Sequence, residues 1–367
     1  MNISKIEIDN GFCYPEYPII DDEDLIISLR YSTPEAREDL CIYSEIRSIN
    51  LYDKSINWKY RLLEEKNEVK TELVIIDNYL IVSTKNYIIA LDIQEGTVIW
   101  KCNIELSDPS MSIIDNILYL TEQNQLILID PKNGKKIKNR KYRVQWLCQS
   151  VVEYNNRLFV STSNYKIIEI DRFTLDIINE FKYIGKWSVH VFPLFFNNRM
   201  YANSYTSNAI CFDLETNEPV WKIKKKAGSE PKHLLIPENE LYCIVEDFNN
   251  AKVTACSLVN GKKKWAKEYP VVHCIKNLNE GNIIGLLKND ENQYYVGIVN
   301  KNNGNVTQSL FLSNYHFDNR FQYRLWKGAD IIIRENYTIV TYSPNEIFII
   351  ERISAQQNDL NSHSTTP

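Results

Sequence analysis

Long apolar runs are missing from this sequence. No window approaches the roughly 18 consecutive apolar residues that a membrane-spanning helix requires. The stretch MNISKIEIDNGFCYPEYP at the N-terminus lacks the apolar core of a secretory signal, so we expect a cytosolic chain. Glycine and proline are scarce, 11 and 12 in 367 residues, which excludes collagen-like and low-complexity chains. The eight cysteines (Cys13, Cys41, Cys102, Cys148, Cys211, Cys243, Cys256 and Cys274) include no CxxC and no adjacent pair. Scattered single thiols of this kind are expected in a reduced, intracellular protein, mostly buried. A formal charge of −5 argues against nucleic acid as the main partner. No phosphate-binding glycine loop, carboxylate dyad or nucleophile–base pair is spelled out either.

What is present is apolar and aromatic residue content, and a period. Hydrophobic residues make up 44% of the chain, with 23 Tyr and 13 Phe, enough to bury a large core. The stretch ALDIQEGTVIW, Ala90 to Trp100, recurs as CFDLETNEPVW ending at Trp221, ACSLVNGKKKW ending at Trp265 and SINLYDKSINW ending at Trp58. Weaker copies surround Asp130, Asp171 and Asn300, and a last apolar run places Glu351 in the same slot. The anchors are Asn50, Asp92, Asp130, Asp171, Asp213, Ser257, Asn300 and Glu351, at spacings of 42, 38, 41, 42, 44, 43 and 51. A period near forty is the signature of a repeat architecture. Each period reads as four short antiparallel strands joined by polar turns, the content of one propeller blade. The turn Asp or Asn bonds its own backbone, and Gly takes the positive-φ position. The Trp four residues on lays its ring against the neighbouring blade.

These residues resemble the quinoprotein-type (PQQ-like) β-propeller family and its A-x-D-x-x-x-G-x-x-x-W docking motif. Ala90, Asp92, Gly96 and Trp100 match it in full; Ala255, Gly261 and Trp265 match with Ser257 in the Asp slot, and Asp213 and Trp221 with Asn217 in the Gly slot. The resemblance implies an all-β fold, a single β-propeller of four-stranded antiparallel blades over residues 1–353, with Trp58, Trp100, Trp221 and Trp265 as structural docking residues. Eight anchors predict eight blades, the ring closed by the N-terminal strand SKIEID. Seven is the alternative, because YSTPEARED interrupts the first unit. Residues 354–367 are polar and expected to be disordered. The resemblance does not carry quinone chemistry with it: enzymes of this fold use a vicinal cysteine pair and a Ca²⁺ site of acidic side chains, and this sequence shows neither. The lipoprotein relatives of outer-membrane assembly carry a signal and a lipid-modified Cys, which Cys13 without an apolar run does not provide. We therefore expect no cofactor.

Two sets of residues remain as candidates. Four of the five histidines, His190, His233, His273 and His316, are spaced 43, 40 and 43, close to the blade period. Aligning the blades puts His190, His233 and His273 near the start of innermost strands, at the channel mouth, in the slot that elsewhere holds Cys148, Lys70 and Lys327. Three imidazoles there would hold a divalent metal; the competing reading is repetition inherited from blade duplication, with Lys70 and Lys327 repelling a cation. Trp146, Trp187 and Trp326 sit just before innermost strands, on the connections of the loop face, with Tyr315, Tyr323, Arg324, Tyr183 and Tyr269 nearby. Aromatic residues and Arg on one face are the composition of a protein-binding hot spot; the competing reading packs these rings between blades. The basic runs KNGKKIKNRKYR, WKIKKKAG and GKKKWAK fall on outer strands and read as solvated edges. The segment Leu310–Lys327 is longer than the repeat requires and is a candidate for recognition.

The reading that follows is a monomeric, cytosolic, non-catalytic propeller that binds a protein partner one-to-one through its loop face. The Asn-, Ile- and Lys-rich composition points to an AT-rich bacterial genome, and the most concrete role is an immunity protein that covers the active site of a toxin. The alternative is a metal-dependent lyase or hydrolase working on His190, His233 and His273.

Overall fold

The computed structural model describes residues 2–8, 12–32, 43–62, 73–107, 109–148, 150–163, 166–182, 193–204, 207–224, 230–236, 240–247, 250–269, 271–277, 283–288, 293–313, 330–334, 337–343 and 346–351. Eight four-stranded antiparallel sheets, seven of them built from strands consecutive in sequence, make an eight-bladed β-propeller. Blade 1 comprises Phe12–Asp21, Asp24–Ser32, Tyr43–Asn50 and Ile56–Arg61, and blade 2 Val74–Ile76, Tyr79–Ser83, Tyr87–Asp92 and Val98–Asn103. Blade 3 comprises Ser110–Ile114, Ile117–Glu122, Gln125–Ile129 and Lys136–Lys141, and blade 4 Val152–Tyr154, Arg157–Thr162, Lys166–Ile170 and Ile177–Lys182. Blade 5 holds Leu194–Phe196, Arg199–Ser204, Ser207–Asp213 and Pro219–Lys224; blade 6 holds Glu230–Leu235, Glu240–Asp247, Asn250–Ser257 and Lys263–Tyr269. Blade 7 holds Val271–Asn277, Ile283–Lys288, Tyr294–Val299 and Val306–Ser313, and blade 8 Asp330–Ile333, Tyr337–Ser343 and Glu346–Glu351 with Asn2–Glu7 as its outer strand.

The chain divides into two compact units, residues 67–314 and residues 1–66 with 315–367. In the second of these, blade 8 takes its fourth strand from the other end of the chain, Ile6 standing opposite Ile347 and Ser4 opposite Ile349. That pairing covers the free edge of the last strand. The interrupted first unit is a complete blade, with a first strand ten residues long. The seven-blade alternative is thereby excluded. Ile6, Leu25, Ile27, Leu29, Ile339, Ile347 and Ile349 pack as one core, and Arg334 donates to the Ile20 carbonyl at 2.8 Å, tying blade 8 to blade 1.

Within residues 67–314 the blades explain their own sequences. Second and third strands are covered on both faces, so they read as continuous apolar runs such as YLIVS and YIIALD. The outer strand of blade 2 instead alternates, burying Trp100 while Val98, Ile99 and Lys101 face solvent. After each third strand the anchor carboxylate or amide caps a tight turn: Asp92 Oδ1 accepts from the backbone N–H of Gln94 and Glu95, both at 2.9 Å. Four residues past the anchor the chain turns left-handed, at Gly96, Gly134, Gly261 and Gly304, and at Leu175 and Asn217 where no Gly is present. The Gly134 amide returns to the Asp130 carbonyl at 2.8 Å, closing the turn. A β-bulge then precedes the docking position in the outer strand of each blade from 2 to 7, leaving Ile99, Ile137, Ile178, Val220, Lys264 and Thr307 as the extra residues.

The blades are joined by the side chain at that docking position. Trp100 Nε1 donates to the Pro131 carbonyl at 2.7 Å, Trp221 Nε1 to Leu258 at 3.1 Å and Trp265 Nε1 to Lys301 at 2.6 Å. Each acceptor is the residue just after an anchor in the next blade. Trp58 is buried as well.

Candidate functional site

Within residues 67–314 two kinds of turn alternate along the chain, and they separate the two ends of the blades. First-to-second and third-to-fourth strand turns lie on one side, with the anchors. Second-to-third turns and the connections between blades lie on the other, where they bond to one another. The connection leaving blade 2 is held by Ile104 N donating to the Asn86 carbonyl and Leu106 N to the Lys85 carbonyl, at 3.0 and 2.7 Å. Ser107 continues it, its amide and hydroxyl both bonded to the buried Glu122 carboxylate at 3.1 and 2.5 Å. Gln123 donates back to the Ser107 hydroxyl at 3.2 Å.

The connection from blade 3 to blade 4, YRVQWLCQSV, is the best described part of this face. Its entry is fixed by Tyr142, whose amide bonds the Asn124 carbonyl at 2.8 Å and whose buried phenol donates to the Leu175 carbonyl at 2.9 Å. Burial pushes that phenol above the usual tyrosine range. Leu147 and Val151 are buried in the core shared by blades 3 and 4. Leu147 also forms an isolated bridge with Thr162, so the connection runs as an extra strand segment along blade 4. The Cys148 amide donates to the Ser161 carbonyl at 2.8 Å, and Ser150 Oγ to the Met111 carbonyl at 2.9 Å.

Trp146 projects from this fixed segment. Its amide bonds Ser163 Oγ at 2.9 Å and its carbonyl accepts from Ser163 N at 3.0 Å, while the residue as a whole is 50% exposed. A large ring held by rigid backbone and left half in solvent presents contact area at low entropic cost. Arg143 and Gln145, also exposed, flank it. Cys148, two residues on, is half-buried beside the start of the inner strand.

The other sequence candidates divide between placed and outside. Trp187, Trp326, Arg324, Tyr315, Tyr323, Tyr183, His190, Lys70 and Lys327 lie outside the described residues, as do residues 354–367. His233 stands in the inner strand of blade 6, opposite Ile244, and His273 at a bulge in the inner strand of blade 7; both are placed in backbone only. Among the described residues no three His, Cys, Asp or Glu side chains are grouped to hold a metal. Tyr269 does not belong to an aromatic rim. It ends the outer strand of blade 6, is buried, and donates its phenol to the Gly304 carbonyl at 2.5 Å, as Tyr142 does to Leu175 three blades earlier. Residues 310–313 belong to the outer strand of blade 7 and not to an insertion.

Sequence reasoning missed the arginines that open second strands. Arg157 forms a two-point ion pair with Glu169 at 2.7 and 2.6 Å, and it also donates to the Leu214 carbonyl in blade 5 at 3.2 Å. Arg199 reaches the Val259 carbonyl in blade 6 at 3.1 Å. Their spacing, one blade period, was the available signal.

Comparison with known proteins agrees with the architecture. Residues 43–140 match a family model described as outer membrane protein assembly factor BamB, a PQQ-like repeat family. The crystal structure of BamB from Moraxella catarrhalis superposes with a TM-score of 0.67 at 14% identity, covering 100% of both chains. The computationally designed Ika8 protein gives 0.70 at 9% identity, covering 94% of this chain and 98% of its own. At those identities the likeness is one of fold. No match was found among curated protein sequences.

Proposed function

We propose that this chain, a β-propeller of PQQ-like repeats, is a non-catalytic scaffold that binds a protein partner through the face carrying the connections between blades. The observation that carries this reading is Trp146, half exposed on a segment hydrogen-bonded at both its amide and its carbonyl. Trp on a preorganised backbone is a favoured anchor of protein interfaces. The family matched over residues 43–140 is described as an assembly factor, a role exercised on other proteins, and this supports a protein partner here. We place the chain in the bacterial cytoplasm, binding one-to-one. In its most concrete form the role is that of an immunity protein covering a toxin's active site.

The test compares stable partners recovered with the tagged chain and with Trp146→Ala, both first shown to melt alike. A stoichiometric partner that is lost with Trp146→Ala supports the reading. No partner, or one retained undiminished, sinks it. The second reading, a metal-dependent lyase or hydrolase, is favoured by His233 and His273 standing on the inner strands of consecutive blades. Stoichiometric metal in chelator-free protein, lost in a His190→Ala, His273→Ala variant, would replace the first reading with it.

A further inference from the structure

The outer perimeter of the blades holds a feature that the loop-face reading does not use. At the bulge position before the docking residue, blades 2 to 5 carry Ile99, Ile137, Ile178 and Val220, while blades 1, 6 and 7 carry Asn57, Lys264 and Thr307. Single exposed apolar residues need no explanation. At the seam of blades 3 and 4, however, they concentrate: Phe173 is 85% exposed, Ile137 54%, Ile178 53% and Ile177 39%. The seam is held together by its neighbours. Lys138 donates to the Phe173 carbonyl, and Arg140 is ion-paired with Asp176, so the outer strand of blade 3 is fastened to the turn that carries Phe173.

Cations outnumber their acidic partners at this seam. Lys135, Lys136 and Lys141 are exposed and have no ion-pair partner among the described residues. The nearby carboxylates are already engaged, Asp176 by Arg140 and Glu180 by Lys166 and Lys182. Lysines and bulges are common guards of a sheet edge, and they account for blade 3. They do not account for blade 4, whose outer strand opens with two exposed isoleucines and whose turn tip is a phenylalanine. Both outer strands are last in their sheets, so each leaves one row of backbone groups without a strand partner.

We propose that the outer edges of blades 3 and 4 dock an extended protein segment in which acidic and apolar side chains alternate. The apolar side chains cover Ile137, Phe173, Ile177 and Ile178. The acidic ones meet Lys135, Lys136 and Lys141, and the segment's backbone pairs along Ile177–Lys182.

The experiment uses the full chain and a labelled synthetic peptide of alternating Glu and Val, read by fluorescence anisotropy, with amide exchange at Ile177–Lys182 followed in parallel. Binding is expected, with slowed exchange along that strand and an affinity that falls with added salt. A Phe173→Ser, Ile178→Thr variant that melts normally should bind about tenfold or more weakly, the loss typical of removing apolar anchors from an interface. Val259→Ser, at the exposed turn tip of blade 6, and Trp146→Ala should bind as the parent does, which separates this strip from the loop face. The proposal is overturned by no binding, by equal binding of a Lys and Val peptide, by unchanged affinity in the double variant, or by phosphatidylserine vesicles binding where the peptide does not.

Discussion

The ring of Trp100 stands where the Cβ of Gly134 would be: a methyl group built on that glycine would lie 2.5 Å from the indole Cε3. The same relationship joins Trp221 to Gly261 and Trp265 to Gly304, at 2.7 and 2.5 Å. Glycine is required there twice over, by the ring and by a left-handed φ of 70°. Gly134→Ala should therefore destabilise by about 1–3 kcal/mol through overpacking and backbone strain, and Trp100→Ala by about 3–5 kcal/mol. In the Trp100→Ala background the added methyl group no longer meets the ring, so the cost of Gly134→Ala should fall to the backbone part alone. Urea denaturation of the four proteins measures this; strictly additive losses would rule the contact out as the reason for the glycine.

Blade 4 answers the same geometry with different residues. Lys138, opposite Leu128, occupies the slot that Trp100 fills opposite Ala90, and the left-handed turn position it faces is Leu175, buried at φ 64°. A leucine fills what an absent indole leaves open. Lys138→Trp alone should clash and destabilise. Leu175→Gly alone should cost about 2–4 kcal/mol, the loss of a buried leucine partly offset by relief of left-handed strain. The double variant rebuilds the Trp–Gly pair and should recover most of both losses, a coupling of at least about 1 kcal/mol. Melts in which the double variant is worse than either single one would exclude the exchange.

That exchange shows why the fold was legible and the site was not. Asp92, Asp130 and Asp213 recur because each turn needs the same cap, and Trp100, Trp221 and Trp265 because three of the seams are closed by the same ring against the same glycine. Repetition multiplied a weak local signal into eight blades. A binding face has no such redundancy. Tyr269 and Trp146 each follow an exposed outer-strand run of Lys, and the letters alone gave no reason to bury one and expose the other. Only the phenol's reach to the Gly304 carbonyl, and the strand-like bridge of Leu147 to Thr162 that turns its neighbour outward, separate them. The exposed cluster around Phe173 was hidden for the opposite reason: it is spread over an outer strand and the next blade's turn, 36 residues apart in the case of Arg140 and Asp176.

Arg157 is predicted to tie stability to pH. Burial alone would raise the Glu169 carboxyl, but hydrogen bonds from Arg157 and Asn179 outweigh it and hold the group below its ordinary value. A lowered carboxylate contributes stability that is complete above the unfolded value, about 4.3, and is lost as pH falls through the folded one. In Arg157→Ala the opposing burial acts with less restraint, and the carboxylate becomes a buried charge short of its main partner. The variant should be about 3 kcal/mol less stable at neutral pH, and the gap should narrow on acidification as Glu169 takes up a proton. Urea midpoints at neutral and mildly acid pH test this. A gap that stays constant with pH would assign the loss to the broken Arg157–Leu214 link instead.

Among the described residues the cysteines divide by burial, and this gives a clock for blade opening. Cys211, Cys243 and Cys256 lie in one core between blades 5 and 6 with Tyr201 and Leu241, while Cys102 and Cys148 are half-buried. Burial pushes the Cys211 thiol up to about 11, and the Cys243 thiol is raised by its hydrogen bond with Cys256 and by burial. Cys211 and Cys243, so placed, contain little thiolate near neutral pH, and the thiolate is the nucleophile; the Cys256 thiol is instead lowered by its hydrogen bond with Cys243, and its burial in the same core is what shields it. Pulsed alkylation of native protein read by mass spectrometry should label Cys102 and Cys148 before Cys211, Cys243 and Cys256. Labelling of Cys211, Cys243 and Cys256 should wait for opening of the seam, and the three should appear together, because they share one cluster. Trp221→Ala removes the indole that donates across that seam to Leu258, so it should speed labelling of all three and leave Cys102 unchanged. Early modification of Cys211 in the unaltered chain would mean that blades 5 and 6 separate without unfolding.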